Sequence, residues 1–253
     1  MMKLEPYSFP KIVIEKHEGI YVVREDLLEG GSKRRFIDRY VREEIEKGAE
    51  EFVFGGAPAT GYAPMSLTLQ AKHYGANATF FMAKRSLDNL HEYQKKALEY
   101  GADIRWVPNG MLQVTKKRAL DYYNEDPVNR RLLQLGLDDQ RVREDIRDLA
   151  KTIETDYNIN ISEVWSVGSS GTLTRGLQMA FPDKDVHVVS VGHTMAQYEV
   201  GRAILHKSHL KFTQEVKEED MPPFPSVPTY DAKAWKIMRE QAKPGSLFWN
   251  VGK

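Results

Sequence analysis

The chain has 253 residues, 41% hydrophobic and 28% charged, and its 36 basic and 36 acidic residues leave no formal net charge. That size and mix describe an ordinary soluble globular protein with length enough for a real core, and they do not indicate a strongly basic nucleic-acid-binding domain. No cysteine is present, which removes disulfides, thiolate nucleophiles and cysteine metal sites.

In chain order, residues 11–26 (KIVIEKHEGIYVVRED) read as two short strands joined by a turn at Gly19. After Gly30-Gly31, residues 32–48 read as a helix with Ser32 as N-cap and Gly48 as its end. Residues 51–56 (EFVFGG) read as a buried strand, 65–75 as a helix, 77–83 (NATFFMA) as a strand, 87–101 as a helix and 102–108 as a strand. Residues 115–157 are polar and are expected to be mostly helical. The alternation then resumes: strand 163–168, helix 172–181, strand 185–192 and helix 195–207. An irregular, charged, proline-rich excursion follows at 211–228, then a helix at 230–242 and a closing strand at 246–252. Repeated strand–helix alternation predicts an α/β protein with parallel or mixed sheets flanked by helices. A small α/β domain is expected at 45–150, and a large domain from 1–44 with 151–253.

Four stretches have residue types suited to chemistry. In 164–177 (VWSVGSSGTLTRGL) an apolar strand runs into Gly168, Ser169, Ser170, Gly171 and Thr172 and then a helix, so small residues let backbone N–H groups converge on an anion. An ordinary tight turn explains the loop about as well. It is neither a Walker A loop nor G-x-G-x-x-G. Lys33 stands in the first turn of a helix beside Arg34 and Arg35, where the helix dipole and neighbouring positive charge disfavour the ammonium form and favour a nucleophilic amine. A lone lysine is far more often a solvated one. Tyr230 and Asp231 open a helix, where Asp is a routine cap. Residues 54–65 (FGGAPATGYAPM) are small enough for backbone to approach a ligand, or form a plain loop. The seven histidines show no paired metal spacing and no H-E-x-x-H, so no metal site is expected, and no G-x-S-x-G elbow is present.

Together and in this order, these stretches resemble the tryptophan-synthase-β-like, fold type II group of pyridoxal-phosphate enzymes, and most closely the branch of 1-aminocyclopropane-1-carboxylate deaminase and D-cysteine desulfhydrase. The resemblance rests on Arg24-Glu25-Asp26-Leu27, Gly30-Gly31-Ser32-Lys33 with Arg35, the loop 168–172, Tyr230-Asp231-Ala232-Lys233-Ala234 and the final LFWNVG. It implies the two-domain fold type II architecture and pyridoxal 5'-phosphate as cofactor. Lys33 would carry the cofactor as a Schiff base and move protons at the substrate α-carbon. Residues 168–172 would hold the phosphate, and Asp231 would pair with the pyridine nitrogen. Tyr230 would lie near the substrate.

The chain departs from the family where a Ser-Asn-Gln/His run is expected after the strand at 51–54: it has Ala59-Thr60-Gly61-Tyr62, so Thr60 or Tyr62 is the candidate replacement hydroxyl. The implied activity is a deaminase or lyase acting on an amino acid or amino-acid-like amine. The alternatives are a decarboxylase or lyase acting on an amino acid joined to a larger group such as a modified nucleobase, and a non-catalytic ligand-binding descendant. A homodimer is implied by relatives. The N-terminus lacks the apolar core of a signal peptide and no run is long enough for a membrane helix, so a cytoplasmic location without membrane partners is expected.

Overall fold

The structure is a computed structural model and describes residues 3–192 and 194–253. By its contacts the chain forms two compact units: unit 1 is Met1–Ser8 with Lys33–Asp139, and unit 2 is Phe9–Ser32 with Gln140–Lys253.

Unit 2 is built on a six-stranded sheet. Its strands are β1 (Ile14–His17), β2 (Ile20–Arg24), β7 (Val164–Gly168), β8 (Val186–Ser190), β9 (Ile204–Lys207) and β10 (Leu247–Asn250), in the order β1-β2-β10-β7-β8-β9. The hairpin β1–β2 is antiparallel and every other pairing is parallel. Every residue of β7, β8 and β10 is buried, as the continuous apolar runs of a sheet covered on both faces require. Period-2 alternation sends neighbours in β10 to opposite faces. Phe248 joins Trp165, Val189, Phe224 and Trp235 in the core, while the indole Nε1 of Trp249 donates to Ser32 Oγ at 2.9 Å. Helix α7 (Thr172–Ala180) packs on α5 (Gln140–Ala150) so closely that a Cβ on Gly176 would meet Ile146 Cγ2 at 2.5 Å. Helix α9 (Ala232–Gln241) supplies Ala234, Trp235 and Met238 to the core.

Unit 1 carries a wholly parallel four-stranded sheet of β3 (Glu51–Gly55), β4 (Asn77–Ala83), β5 (Asp103–Val107) and β6 (Arg130–Leu132), in the order β5-β4-β3-β6. Helix α1 (Gly31–Glu46) from Lys33 onward, and helices α2 (Ala63–His73), α3 (Glu92–Glu99) and α4 (Leu112–Glu125), belong to it. Its main core joins Ile37 and Val41 of α1 to Phe52, Leu67, Phe80 and Met82.

Three differences from the sequence expectations have physical causes. Helix α1 starts at Gly31, so Ser32 lies within it, and the Ser32 hydroxyl serves Trp249 rather than a cap. Residues 195–207, expected as one helix, form a single helical turn α8 (Gln197–Val200), then Gly201 at φ 62°, then strand β9. The glycine breaks the helix and frees Ile204–Lys207 to pair with β8. Within 115–157 lies β6, three residues paired with β3. It has no alternation to announce it, and Arg130 is held by the Glu51 carboxylate at 2.9 Å and the Tyr122 ring at 3.5 Å.

The unit boundaries also fall elsewhere than at 44/45 and 150/151. Most of α1 belongs to unit 1 because its apolar face is in that core, and α5 belongs to unit 2 because it packs on α7. No helix among the described residues is long and apolar enough to cross a membrane.

Candidate active site

The parallel strands of unit 2 deliver their C-terminal ends to one edge of the sheet, the edge where open α/β sheets present ligand-binding loops. From Gly168, at the end of β7, the chain turns through Ser169, Ser170 and Gly171 into α7. Gly171 is in the left-handed region at φ 72°, and a Cβ there would lie 1.9 Å from the Glu199 carbonyl oxygen. Only glycine lets this loop seat against the backbone of α8. Gly171 is the N-cap of α7 and no side chain caps the helix, which leaves its first-turn N–H groups available to an anion. The hydroxyls of Ser170 and Thr172 lie 3.3 Å apart. Arg175 donates to the carbonyls of Ser170 and Gly171, each at 3.4 Å, and so adds positive charge to the same turn.

Tyr230 reaches this loop. Its hydroxyl donates to the Val167 carbonyl at 3.3 Å and also contacts Ser169. Burial, reinforced by the negative charge of Asp231, pushes the phenol well above its ordinary range, and the Ser169 contacts only partly offset this. The hydroxyl therefore keeps its proton at any physiological pH. Asp231 occupies the N-cap of α9, but its backbone is helical (φ −62°, ψ −38°) and its side chain makes no capping hydrogen bond. The residue is fully buried. Capping, the bland explanation for an Asp at this position, is excluded by that geometry. Two residues further on, buried Lys233 donates to the carbonyls of Lys211 and Phe212 at 2.9 and 3.0 Å and ties down the irregular excursion. Burial pulls its amine down to about 8.

A buried polar chain braces the same edge of the sheet. Arg24, at the end of β2, grips Asp26 through two hydrogen bonds of 2.8 and 2.9 Å. Asn250, at the end of β10, donates to Asp26 at 2.9 Å and to the Pro225 carbonyl at 2.9 Å, and it accepts from Ser226 at 2.8 Å. The arginine–acidic–aspartate run thus acts as a brace. It fixes the start of the segment that leads through Gly30-Gly31 to Lys33, while Asn250 ties in the segment that leads to Tyr230. Ser32 is pinned from two sides, by Trp249 and by its own N–H donating to the Val251 carbonyl at 3.0 Å. Lys33 follows in the first turn of α1, partly buried, one peptide bond beyond the last unit 2 residue of that segment.

The fold thus brings together Gly168–Thr172, Tyr230 and Asp231 within unit 2. Lys33, Thr60 and Tyr62 fall in unit 1. Thr60 sits on the loop after β3, partly exposed. Tyr62 is the N-cap of α2; its carbonyl accepts from Ser66 Oγ at 2.9 Å, and its ring packs on Tyr93 with centroids 4.6 Å apart. Arg175, Asn250 and Ser226 were not singled out from sequence. Asn250 left a signal, a polar residue inside an apolar closing strand, whereas Arg175 looks like any helix arginine.

No protein-family model matches the chain, and no curated protein matches it in sequence. Solved structures do match. A structure described as an ACC deaminase homologue is similar over 92% of this chain and 84% of its own, with TM-score 0.77 at 16% identity. The processed form of threonine deaminase isoform 2 from Solanum lycopersicum is similar over 92% and 74%, with TM-score 0.66 at 14% identity. A fungal L-serine ammonia-lyase from Rhizomucor miehei is similar over 92% and 70%, with TM-score 0.56 at 12% identity. The chain shares the fold of these proteins, which is the α/β architecture that the sequence resemblance implied.

Proposed function

We propose that this chain is a pyridoxal-phosphate-dependent deaminase or lyase acting at the α-carbon of an amino acid or amino-acid-like amine. The observation that carries the reading is the meeting, in unit 2, of the anion-suited turn Gly168–Thr172 with Tyr230 and the fully buried, non-capping carboxylate of Asp231. These residues fit the cofactor: a glycine-shaped turn with free helix N–H groups and Arg175 nearby suits a phosphate, and a buried carboxylate suits a protonated ring nitrogen. The names of the structural neighbours, an ACC deaminase homologue, a threonine deaminase and an L-serine ammonia-lyase, support the same class.

When bound, the cofactor supplies an electron sink for the electrons released at the substrate α-carbon. The protein's residues do the rest. Lys33 holds the cofactor through its Nζ and carries a proton to and from the α-carbon. The N–H groups and hydroxyls of 168–172 hold the phosphate. Asp231 would accept a hydrogen bond from the protonated ring nitrogen and so favour its charged form. Tyr230, whose hydroxyl stays protonated, would turn its one proton from the Val167 carbonyl toward the reacting groups and orient them. Thr60 or Tyr62 supplies the hydroxyl for the substrate carboxylate, in place of the Ser-Asn pair that relatives carry.

The test is direct. Protein stripped of cofactor and titrated with pyridoxal phosphate turns yellow, and Lys33→Ala does not develop the same visible band. Supplied with a panel of α-amino acids, the holoenzyme releases ammonia and a keto acid from at least one. A protein that stays colourless contradicts the proposal, and carbon dioxide without ammonia contradicts the deaminase assignment.

A further inference from the structure

At the opposite edge of the unit 2 sheet, where β7, β8 and β10 begin, lies a cluster that the proposed chemistry does not use. Glu163 precedes β7, Asp185 precedes β8, and His187 is the second residue of β8. One donor atom from each lies within 4.8 Å of the others. The three are too scattered in the chain to read as a metal motif, and it is the parallel pairing of β7 with β8 that assembles them.

The arrangement is built in layers. Glu163 is 1% exposed, and its Oε1 accepts three hydrogen bonds, from Trp165 Nε1 at 2.7 Å, Ser246 Oγ at 2.9 Å and the Lys243 backbone N–H at 3.0 Å. That leaves Oε2 for a cation. His187 is 9% exposed, its ring stacks on Trp165 at 4.2 Å, and its Nδ1 is paired with His206 Nε2 at 2.9 Å. Its other nitrogen, Nε2, is buried, makes no hydrogen bond, and sits 3.4 Å from Glu163 Oε2. When Nδ1 donates to His206, Nε2 is a bare lone pair facing an anionic oxygen, which is unfavourable unless a cation lies between them.

The spacing has a specific meaning. Two ligand atoms bound about 2.0–2.1 Å from a tetrahedral ion stand roughly 3.3 Å apart. The Lys243 ammonium already takes a cation's place here, at 3.3 Å from Glu163 Oε2 and 3.4 Å from Asp185 Oδ2, and its side chain is 60% exposed and free to swing out.

We propose that Glu163, Asp185 and His187 form a binding site for a divalent transition-metal cation of the zinc type, which enters from solvent by displacing the Lys243 ammonium. One imidazole and two carboxylates suit such an ion, and a water completes four-coordination. His206, behind the ligating imidazole, would fix its tautomer.

The full-length protein, stripped with chelator and dialysed against zinc chloride, is assayed for bound zinc by mass spectrometry. The proposal expects one zinc per chain. Asp185→Asn, at an exposed position that leaves the fold intact, weakens binding by about tenfold or more. Lys243→Met removes the competing ammonium and tightens it. Wild-type protein that retains no more zinc than Asp185→Asn overturns the proposal, as does a Lys243→Met variant that binds no more tightly than wild type. Bound cofactor is not needed for any arm, so the outcome is independent of the reaction proposed above.

Discussion

Asp231 shows how a residue's surroundings decide between two meanings. In sequence it is one more acidic residue at a helix start. In the fold it is fully buried and does not cap, so a negative charge there would need a compensating partner. Replacing it with Asn keeps the shape and removes the charge. A charge-assisted hydrogen bond to the cofactor ring is worth about 1.5–3 kcal/mol, so Asp231→Asn is expected to lower kcat roughly 10–100-fold while the cofactor still binds; equal losses in kcat and cofactor affinity would point to a structural role instead. Lys233 gives a pH signature at the same scale. Burial holds its amine near 8 in the folded chain, against 10.5 for an ordinary lysine. Between those values the unfolded chain keeps the proton and the folded chain does not, so stability rises as pH rises through that window. Below the window the full burial cost, up to about 3 kcal/mol, is present. Unfolding free energies measured at both ends of the window should show this rise in the wild type and lose it in Lys233→Met; parallel profiles would remove Lys233 from the account.

At the scale of elements, the strand–turn–helix unit β7–α7 was fully legible: an apolar run, a glycine-serine turn, then a helix, with boundaries close to those observed. The need for glycine at 171 was not legible, because the partner that shapes the turn is the backbone of Glu199, far along the chain. Gly171→Ala forces a left-handed backbone on a residue with a Cβ and drives that Cβ into a carbonyl. The change costs at least about 1–2 kcal/mol in backbone strain alone, and it displaces the turn. Pyridoxal-phosphate affinity is therefore expected to fall more steeply than thermal stability, as a paired titration and melting curve would report; unchanged affinity would mean that the turn does not hold the phosphate. The elements missed were β6 and β9, strands of three and four residues. Their pairing to β3 and β8 comes from tertiary context, and short half-exposed segments carry too few residues to show a period.

For the whole molecule, the alternation of strands and helices was enough to predict an α/β protein with parallel or mixed sheets, and one mixed and one wholly parallel sheet are present. Where the units divide was less legible. A helix at a boundary goes with whichever core takes its apolar face, and Ile37 and Val41 commit α1 to unit 1 although its first two residues are anchored in unit 2. The sequence motifs that drew attention to residues 168–172 and Tyr230-Asp231 lie together in unit 2, whereas Lys33 falls in unit 1. The contacts around them came from the fold: Ser226 and Arg175 gave no sign in the sequence, and Asn250 showed only as a polar residue in an apolar strand. Substrate choice was least legible, because Ala59-Thr60-Gly61-Tyr62 carries no recognisable motif in the sequence.

The central claim is that this scaffold exists to present Lys33 to a pyridoxal cofactor. Borohydride reduction of the protein loaded with pyridoxal phosphate, followed by proteolysis and mass spectrometry, tests it most directly. The account predicts a single stable pyridoxyl adduct on the peptide containing Lys33, formed rapidly and lost in Lys33→Ala. An adduct on another lysine, Lys233 included, or scattered labelling that Lys33→Ala leaves unchanged, would contradict it.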